Sequence, residues 1–172
     1  MDLFTRFLSV ADAPVMHKLY CEIANHPGGF ARDPEEVTPE YMEKLLESTS
    51  SSGLGIGAVD RESQALIGFI IARKPGPKVF NHVLSDLTIG VHPQHQSKGI
   101  GRRLFLDFIE HIQSSRPDVL RVELIARESN QRAISFYESI GFRAEGVFEK
   151  RILNQNGDFE SDIPMGWLKP GL

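Results

Sequence analysis

Apolar and polar positions alternate along this chain in blocks of strand-like and helix-like period. Phe4 to Ser9 reads as a first strand, and Ala13 to Ala24 follows as a helix, with Asp12 as its cap and Pro14 in its first turn. His26-Pro27-Gly28-Gly29 breaks the pattern, and the polar, proline-bearing stretch to Pro39 reads as loop. Thr38-Pro39-Glu40-Tyr41 opens a second helix with Tyr41, Leu45 and Leu46 on one side, and Thr49 to Gly53 is a serine-rich connector. Leu54–Asp60 and Leu66–Ala72 are strands joined by the polar turn Arg61-Glu62-Ser63-Gln64. Pro75-Gly76-Pro77 turns the chain into a fourth, Val83–Val91. Beyond it Ile100, Leu104, Phe108 and Ile112 recur at helical spacing, with Phe105 and Ile109 beside them. Val119 to Ala126 is strand-like. Ala133, Phe136, Tyr137 and Ile140 then share a helix face between Asn130, a good cap, and Gly141, suited to the left-handed residue that ends a helix. Strands around Ala144–Leu153 and Phe159–Leu168 flank the hairpin signal Asn156-Gly157. This order predicts a mixed α/β sheet covered by helices.

Composition narrows the classes open to such a fold. The 172 residues are most simply one domain, 1–172, with a sizeable core. A net charge of −4 argues against nucleic acid as the main partner, because backbone binding wants a basic face. The single cysteine, Cys21, excludes an internal disulfide and a thiolate cluster for zinc, so no metal is expected. It reads as a small core residue of the first helix. No secretion signal stands at the N-terminus, and the most apolar run, Leu66–Ala72, is too short to span a bilayer. A cytoplasmic protein without a membrane partner is the expectation.

The segment between the fourth strand and the third helix carries the clearest chemistry. Gln96-Ser97-Lys98-Gly99-Ile100-Gly101 places two glycines at a strand-to-helix turn, where backbone N–H groups and the helix dipole favour an anion. Lys98, Arg102 and Arg103 add positive charge in the same place. It is not a P-loop, since Gly101 is followed by Arg102-Arg103, and the dinucleotide fingerprint lacks its third glycine.

As Gln-x-x-Gly-x-Gly, this loop resembles the pyrophosphate loop of the GNAT superfamily of acetyl-CoA-dependent N-acetyltransferases. Asn130-x-x-Ala133-x-x-Phe136-Tyr137-x-x-x-Gly141-Phe142 looks like that family's second cofactor-contacting motif. The resemblance covers residues 83–168 well and the N-terminal third in outline. It implies a GNAT-like mixed, mostly antiparallel sheet of about six to seven strands flanked by about four helices, with a splayed central strand pair. It also implies acetyl-CoA as co-substrate. Gln96, Ser97, Lys98, Gly99, Ile100, Gly101 and Arg102 would grip its pyrophosphate, and backbone groups of Ile89, Gly90 and Val91 would pair with the pantetheine arm. Asn130, Ala133 and Phe136 would be further cofactor contacts. Gly90, unusual in a strand, reads by itself as a bulge, a close backbone approach or a packing glycine.

Two residues are expected to be catalytic. Asp86 sits in an otherwise apolar strand, and the resemblance implies a base acting through a water, its pKa raised by partial burial. A carboxylate at the strand's solvent edge, or one that only binds the substrate's ammonium, is the alternative. Tyr137 matches the family's tyrosine acid, which protonates the departing sulfur; the alternative is a half-buried core tyrosine. His82 and His92 are candidate helpers or plain surface residues.

The resemblance puts the acceptor among the first two helices, their loop at about His26–Thr38, and the last hairpin at about Arg151–Asp158. Arg32, Asp33, Glu35 and Glu36 either meet a charged acceptor or form a solvated loop. The C-terminal segments look most like enzymes that acetylate small molecules such as amino acids or amine-bearing antimetabolites. The expected reaction is direct transfer to a primary amine in a ternary complex. Enzymes that acetylate the N-termini of ribosomal proteins are similar, and a non-catalytic acyl-CoA sensor on the same fold is the other alternative. GNAT enzymes often dimerise, which leaves a homodimer open.

Overall fold

The apolar spacing becomes four α-helices and eight strands among the described residues. The structure, a computed structural model, describes residues 2–26, 30, 32, 34–154 and 156–172. The expected break at Pro27-Gly28-Gly29 and the candidate acceptor contact Asp33 lie outside them. In chain order the elements are β1 (Leu3–Phe7), α1 (Ala13–Ala24), α2 (Pro39–Ser51), β2 (Leu54–Asp60), β3 (Leu66–Arg73) and β4 (Val83–Val91). Then follow α3 (Ile100–Ser115), β5 (Arg121–Arg127), α4 (Gln131–Ser139), β6 (Arg143–Ala144), β7 (Phe148–Leu153) and β8 (Phe159–Leu168). The pairing is mostly antiparallel, as expected. The extra strand arises because the predicted Ala144–Leu153 segment is divided into β6 and β7.

The chain divides into two compact units, residues 1–73 with 88–116, and residues 74–87 with 117–172. In the first, β1, β2 and β3 form an antiparallel ladder. Met16, Leu19, Tyr20 and Ile23 of α1 meet Met42, Leu45 and Leu46 of α2 and Phe69 and Ile71 of β3 in one apolar cluster. The buried stripe of α3 is the one its spacing predicts: Ile100, Leu104, Phe105, Phe108, Ile109 and Ile112. α3 packs on β2 and β3.

Two local expectations change. Asp12 occupies the cap position of α1 without capping it. Its buried carboxylate turns back to accept the Ser9 N–H at 2.8 Å and the Arg6 guanidinium at 2.6 and 2.9 Å. The carboxyl is held below its ordinary pKa mainly by Arg6, against the opposing effect of burial. Thr49 to Ser51, expected as connector, continue α2. Ser48, Thr49 and Ser51 donate their hydroxyls to carbonyls three residues back, at 2.7, 2.9 and 3.2 Å, so polar side chains are satisfied within the helix. At the other end of α2, Thr38 caps as predicted, accepting the Tyr41 N–H at 3.1 Å.

In the second unit β5 pairs with β8 over seven residues, and with β4 in parallel at Val83 and Leu84. Val122, Leu124, Ala126, Ile163, Met165 and Trp167 lie buried on one face of this ladder. The other face carries charge pairs: Arg121 with Glu123 and Glu145, and Arg151 with Asp162.

Candidate active site

β4 departs from a regular strand at Asp86, whose φ of +52° lies in the left-handed region. A non-glycine residue there interrupts the period-two alternation and re-aims the chain. Asp86 is exposed, which corrects the expected partial burial, because the irregular backbone turns its side chain out of the strand's packed alternation. Of the readings open for Gly90, a close backbone approach is the one its surroundings fit. A Cβ there would stand 2.6 Å from Phe30, 2.8 Å from Ile23 and 3.1 Å from Phe69. On the other side of the strand, Ile89 and Val91 reach toward Gly101 at the start of α3, 3.9 and 3.7 Å from where its Cβ would be.

The loop that follows is built by backbone conformation. Ser97 and Gly99 both take positive φ, +61° and +81°, and Gly99 is the N-cap of α3. The helical ladder begins with Arg103 N–H donating to the Gly99 carbonyl at 3.0 Å, so the amides of Ile100, Gly101 and Arg102 precede it. A Cβ on Gly99 would meet nothing within 4 Å. Two left-handed residues, an open flank and the first turn of a long helix fit a phosphate-like anion. Two of the expected cations are also engaged by neighbours. Lys98 donates its ammonium to the Gln94 carbonyl at 3.0 Å, and Arg103 is paired with Asp107 at 2.9 Å. Gln96 returns its amide to the Val91 carbonyl at 3.2 Å, fastening the loop to the end of β4.

In the second unit, Asn130 caps α4 by accepting the Ala133 N–H at 3.2 Å, which leaves its carboxamide N–H groups as donors. The helix ends as its sequence predicts. Gly141 takes φ +98°, its N–H reaches the Glu138 carbonyl at 3.1 Å, and the Phe142 N–H reaches the Tyr137 carbonyl at 3.0 Å. This double closure fixes the last turn, and Phe142 packs against Tyr137 at 6.1 Å between ring centroids. Tyr137 is half-buried, and burial pushes its phenol above the ordinary value. It is therefore protonated at neutral pH, the form a proton donor needs. Phe136 stands beside it at 5.7 Å.

The expected site residues thus divide between the two units. Ile89 to Val91 and Gln96 to Arg102 share a strand end and loop of the first unit. Asp86, Asn130, Ala133, Phe136 and Tyr137 belong to the second. Among the described residues no cluster of His, Cys, Asp and Glu could hold a metal ion, and no helix is long and apolar enough to cross a membrane.

Three features escaped the sequence reading. Ser97 adopts a left-handed conformation that nothing in its residue type announces. His92 bonds through both ring nitrogens, to Gln94 and to Glu22. Tyr20 is buried among Phe30, Phe69 and Tyr41, and its phenol is pushed up to about 12, mainly by burial. Arg32 lies 4.5 Å over the Tyr41 ring, so this candidate acceptor contact is held against the helices and is not a freely solvated loop residue.

The chain belongs to the acetyltransferase (GNAT) family, whose model matches residues 16–142. A mycothiol acetyltransferase of Renibacterium salmoninarum is 27% identical over 126 residues, covering 70% of this chain and 36% of that protein. The chain spans 29–36% of the length of the curated relatives it matches. Its fold is shared with a GNAT-family acetyltransferase from Streptococcus pneumoniae, with a TM-score of 0.87, 23% identity, and coverage of 97% of this chain and 99% of that one. It is also shared with a phosphinothricin acetyltransferase from Sinorhizobium meliloti in complex with acetyl-CoA, with a TM-score of 0.84, 18% identity, and coverage of 99% and 91%.

Proposed function

We propose that residues 1–172 act as one acetyltransferase domain that moves an acetyl group from acetyl-CoA to the primary amine of a small molecule, such as an amino acid, by direct attack. The observation that carries this reading is the loop from Gln96 to Arg102, with left-handed Ser97 and Gly99 at the head of α3. In this reading its amides hold the pyrophosphate, with Lys98 and Arg102 nearby. Amides near Ile89–Val91 hold the pantetheine arm and polarise the thioester carbonyl, an interaction worth about 3 kcal/mol when aimed at a developing oxyanion. Asn130 offers its carboxamide N–H groups to the same arm, with Ala133 and Phe136 beside it.

Asp86 accepts the ammonium proton through a water, a role that suits its exposed position on irregular backbone. Tyr137 donates its phenolic proton to the departing sulfur. Cys21 lies outside both motifs, so no covalent intermediate is invoked. The small-molecule acceptor is supported by the look of the C-terminal segments and by the match to a mycothiol acetyltransferase.

Thiol release from acetyl-CoA, followed across free amino acids, polyamines, amino sugars and N-terminal peptides, tests this reading. Turnover with one small-molecule class supports it. Turnover with peptides alone would replace the acceptor and move the protein to the N-terminal acetylating class. Binding of acetyl-CoA with silence across the panel would favour a sensor.

A further inference from the structure

His92 stands where β4 gives way to the single helical turn Pro93–His95. Its Nδ1 lies 3.2 Å from the Gln94 backbone nitrogen, which only donates, so Nδ1 is the acceptor and carries no proton. Its Nε2 lies 3.2 Å from the Glu22 carboxylate of α1, which only accepts when ionised, so Nε2 carries the proton. The two partners together select one neutral tautomer. A doubly protonated ring would set an N–H against the Gln94 N–H.

The backbone around the ring leads directly into the loop. The His92 N–H donates to the Ile67 carbonyl of β3 at 2.9 Å, and the His92 carbonyl accepts the His95 N–H at 2.8 Å. Gln96 follows, tied to Val91, and then left-handed Ser97. The charged and titratable groups around this turn are Glu22 from α1, His95 and Lys98 from the turn and loop, and Asp60 from β2, which acts on His95. The rings of His92 and His95 meet edge to face at 5.4 Å.

We infer that His92 is a positioning residue for the anion-binding loop, holding it in the binding shape only while Nδ1 is unprotonated. The inference rests on the reading that this loop binds acetyl-CoA. Acidification removes the Gln94 bond. Glu22 attracts the charged ring and keeps it in place, so the ring cannot relieve the N–H to N–H contact by moving away. The turn that feeds Gln96–Gly99 then loosens, and acetyl-CoA affinity falls. The device therefore sets a lower pH limit on cofactor binding and leaves the chemical step alone.

The test is calorimetric binding of acetyl-CoA between about pH 8 and about pH 5 with wild type and His92→Asn. Asparagine keeps an acceptor near the position of Nδ1 and cannot take up a proton. Wild type should lose about fivefold more affinity than His92→Asn over this span. Parallel profiles for wild type and His92→Asn, or a loss confined to kcat, would each overturn the inference. No binding at about pH 8 in wild type would overturn the cofactor reading itself, and this inference with it.

Discussion

In the first unit Gly53 sits where a methyl group would stand 2.3 Å from the Ala72 carbonyl oxygen, while in the second Gly166 sits where one would stand 2.5 Å from a Glu145 carboxylate oxygen. The two distances are alike and their consequences differ. Backbone has nowhere to go, whereas a carboxylate on a half-exposed face can swing into water. The first unit is held in register by crowding of backbone and apolar side chains, as at Gly53 and Gly90. The open face of the second is held by charge pairs such as Arg121 with Glu123 and Glu145. The difference teaches where precision is stored: shape holds the strand that leads into the glycine loop, and adaptable charge lines the open sheet face of the unit that carries Tyr137.

The strongest test of this contrast is Gly53→Ala. Its Cβ would also approach the Thr49 Cα to 2.9 Å, so backbone must shift, and a loss of about 4 kcal/mol is expected in denaturant unfolding. Gly166→Ala should cost clearly less, and equal losses would erase the distinction.

Next in size is Tyr137→Phe, expected to lower kcat about a hundredfold with little change in unfolding midpoint, since the ring still packs on Phe142. An unchanged kcat across pH would remove the acid role.

The buried phenol of Tyr20 gives a pH signature of the first unit. Its folded pKa of about 12 exceeds the ordinary phenol value of about 10, so its contribution is fully present below that ordinary value and lost as pH rises through the folded one. Wild type should lose about 2.5 kcal/mol over this window, and Tyr20→Phe should lose that much less. Matching alkaline profiles would refute it.

Asp12→Ala, which strands Arg6 and the Ser9 N–H, should cost about 2 kcal/mol at neutral pH, discounted because Arg6 is 40% exposed. The Asp12 carboxyl is held below its ordinary value, so its contribution is present above that value and lost as pH falls through the folded one. The wild-type and Asp12→Ala stabilities should converge in acid. The smallest effect is expected at Glu145→Gln, under about 1 kcal/mol and fading with salt, because its pair with Arg121 is partly solvated.

Much of this architecture is legible in the sequence. Ile100, Leu104, Phe108 and Ile112 announce a helix with one buried face because period 3.6 admits few alternatives. Asn130 and Gly141 bracket α4 by local chemistry, a carboxamide that caps and a residue without Cβ at positive φ. The glycine loop Gln96–Gly101 was legible for the same reason, since glycine spacing at a strand-to-helix turn is a local backbone property.

Side-chain partners that lie far apart in sequence were not legible. Asp12 carries every mark of a helix cap, yet Arg6 and Ser9 take its carboxylate. Asp86 reads as one more alternating strand residue until its φ of +52° turns it outward. Gly90 could have been a bulge, and only the arrival of Ile23, Phe30 and Phe69 makes it a close approach. His92 shows nothing in its neighbours of Glu22, seventy residues earlier, which fixes its tautomer. The sequence alone determined the periods, the caps and the glycine loop, because those depend on residues within one or two turns. Tertiary structure decided which polar groups are paired and which glycine is crowded, because those depend on partners that only the folded chain brings together.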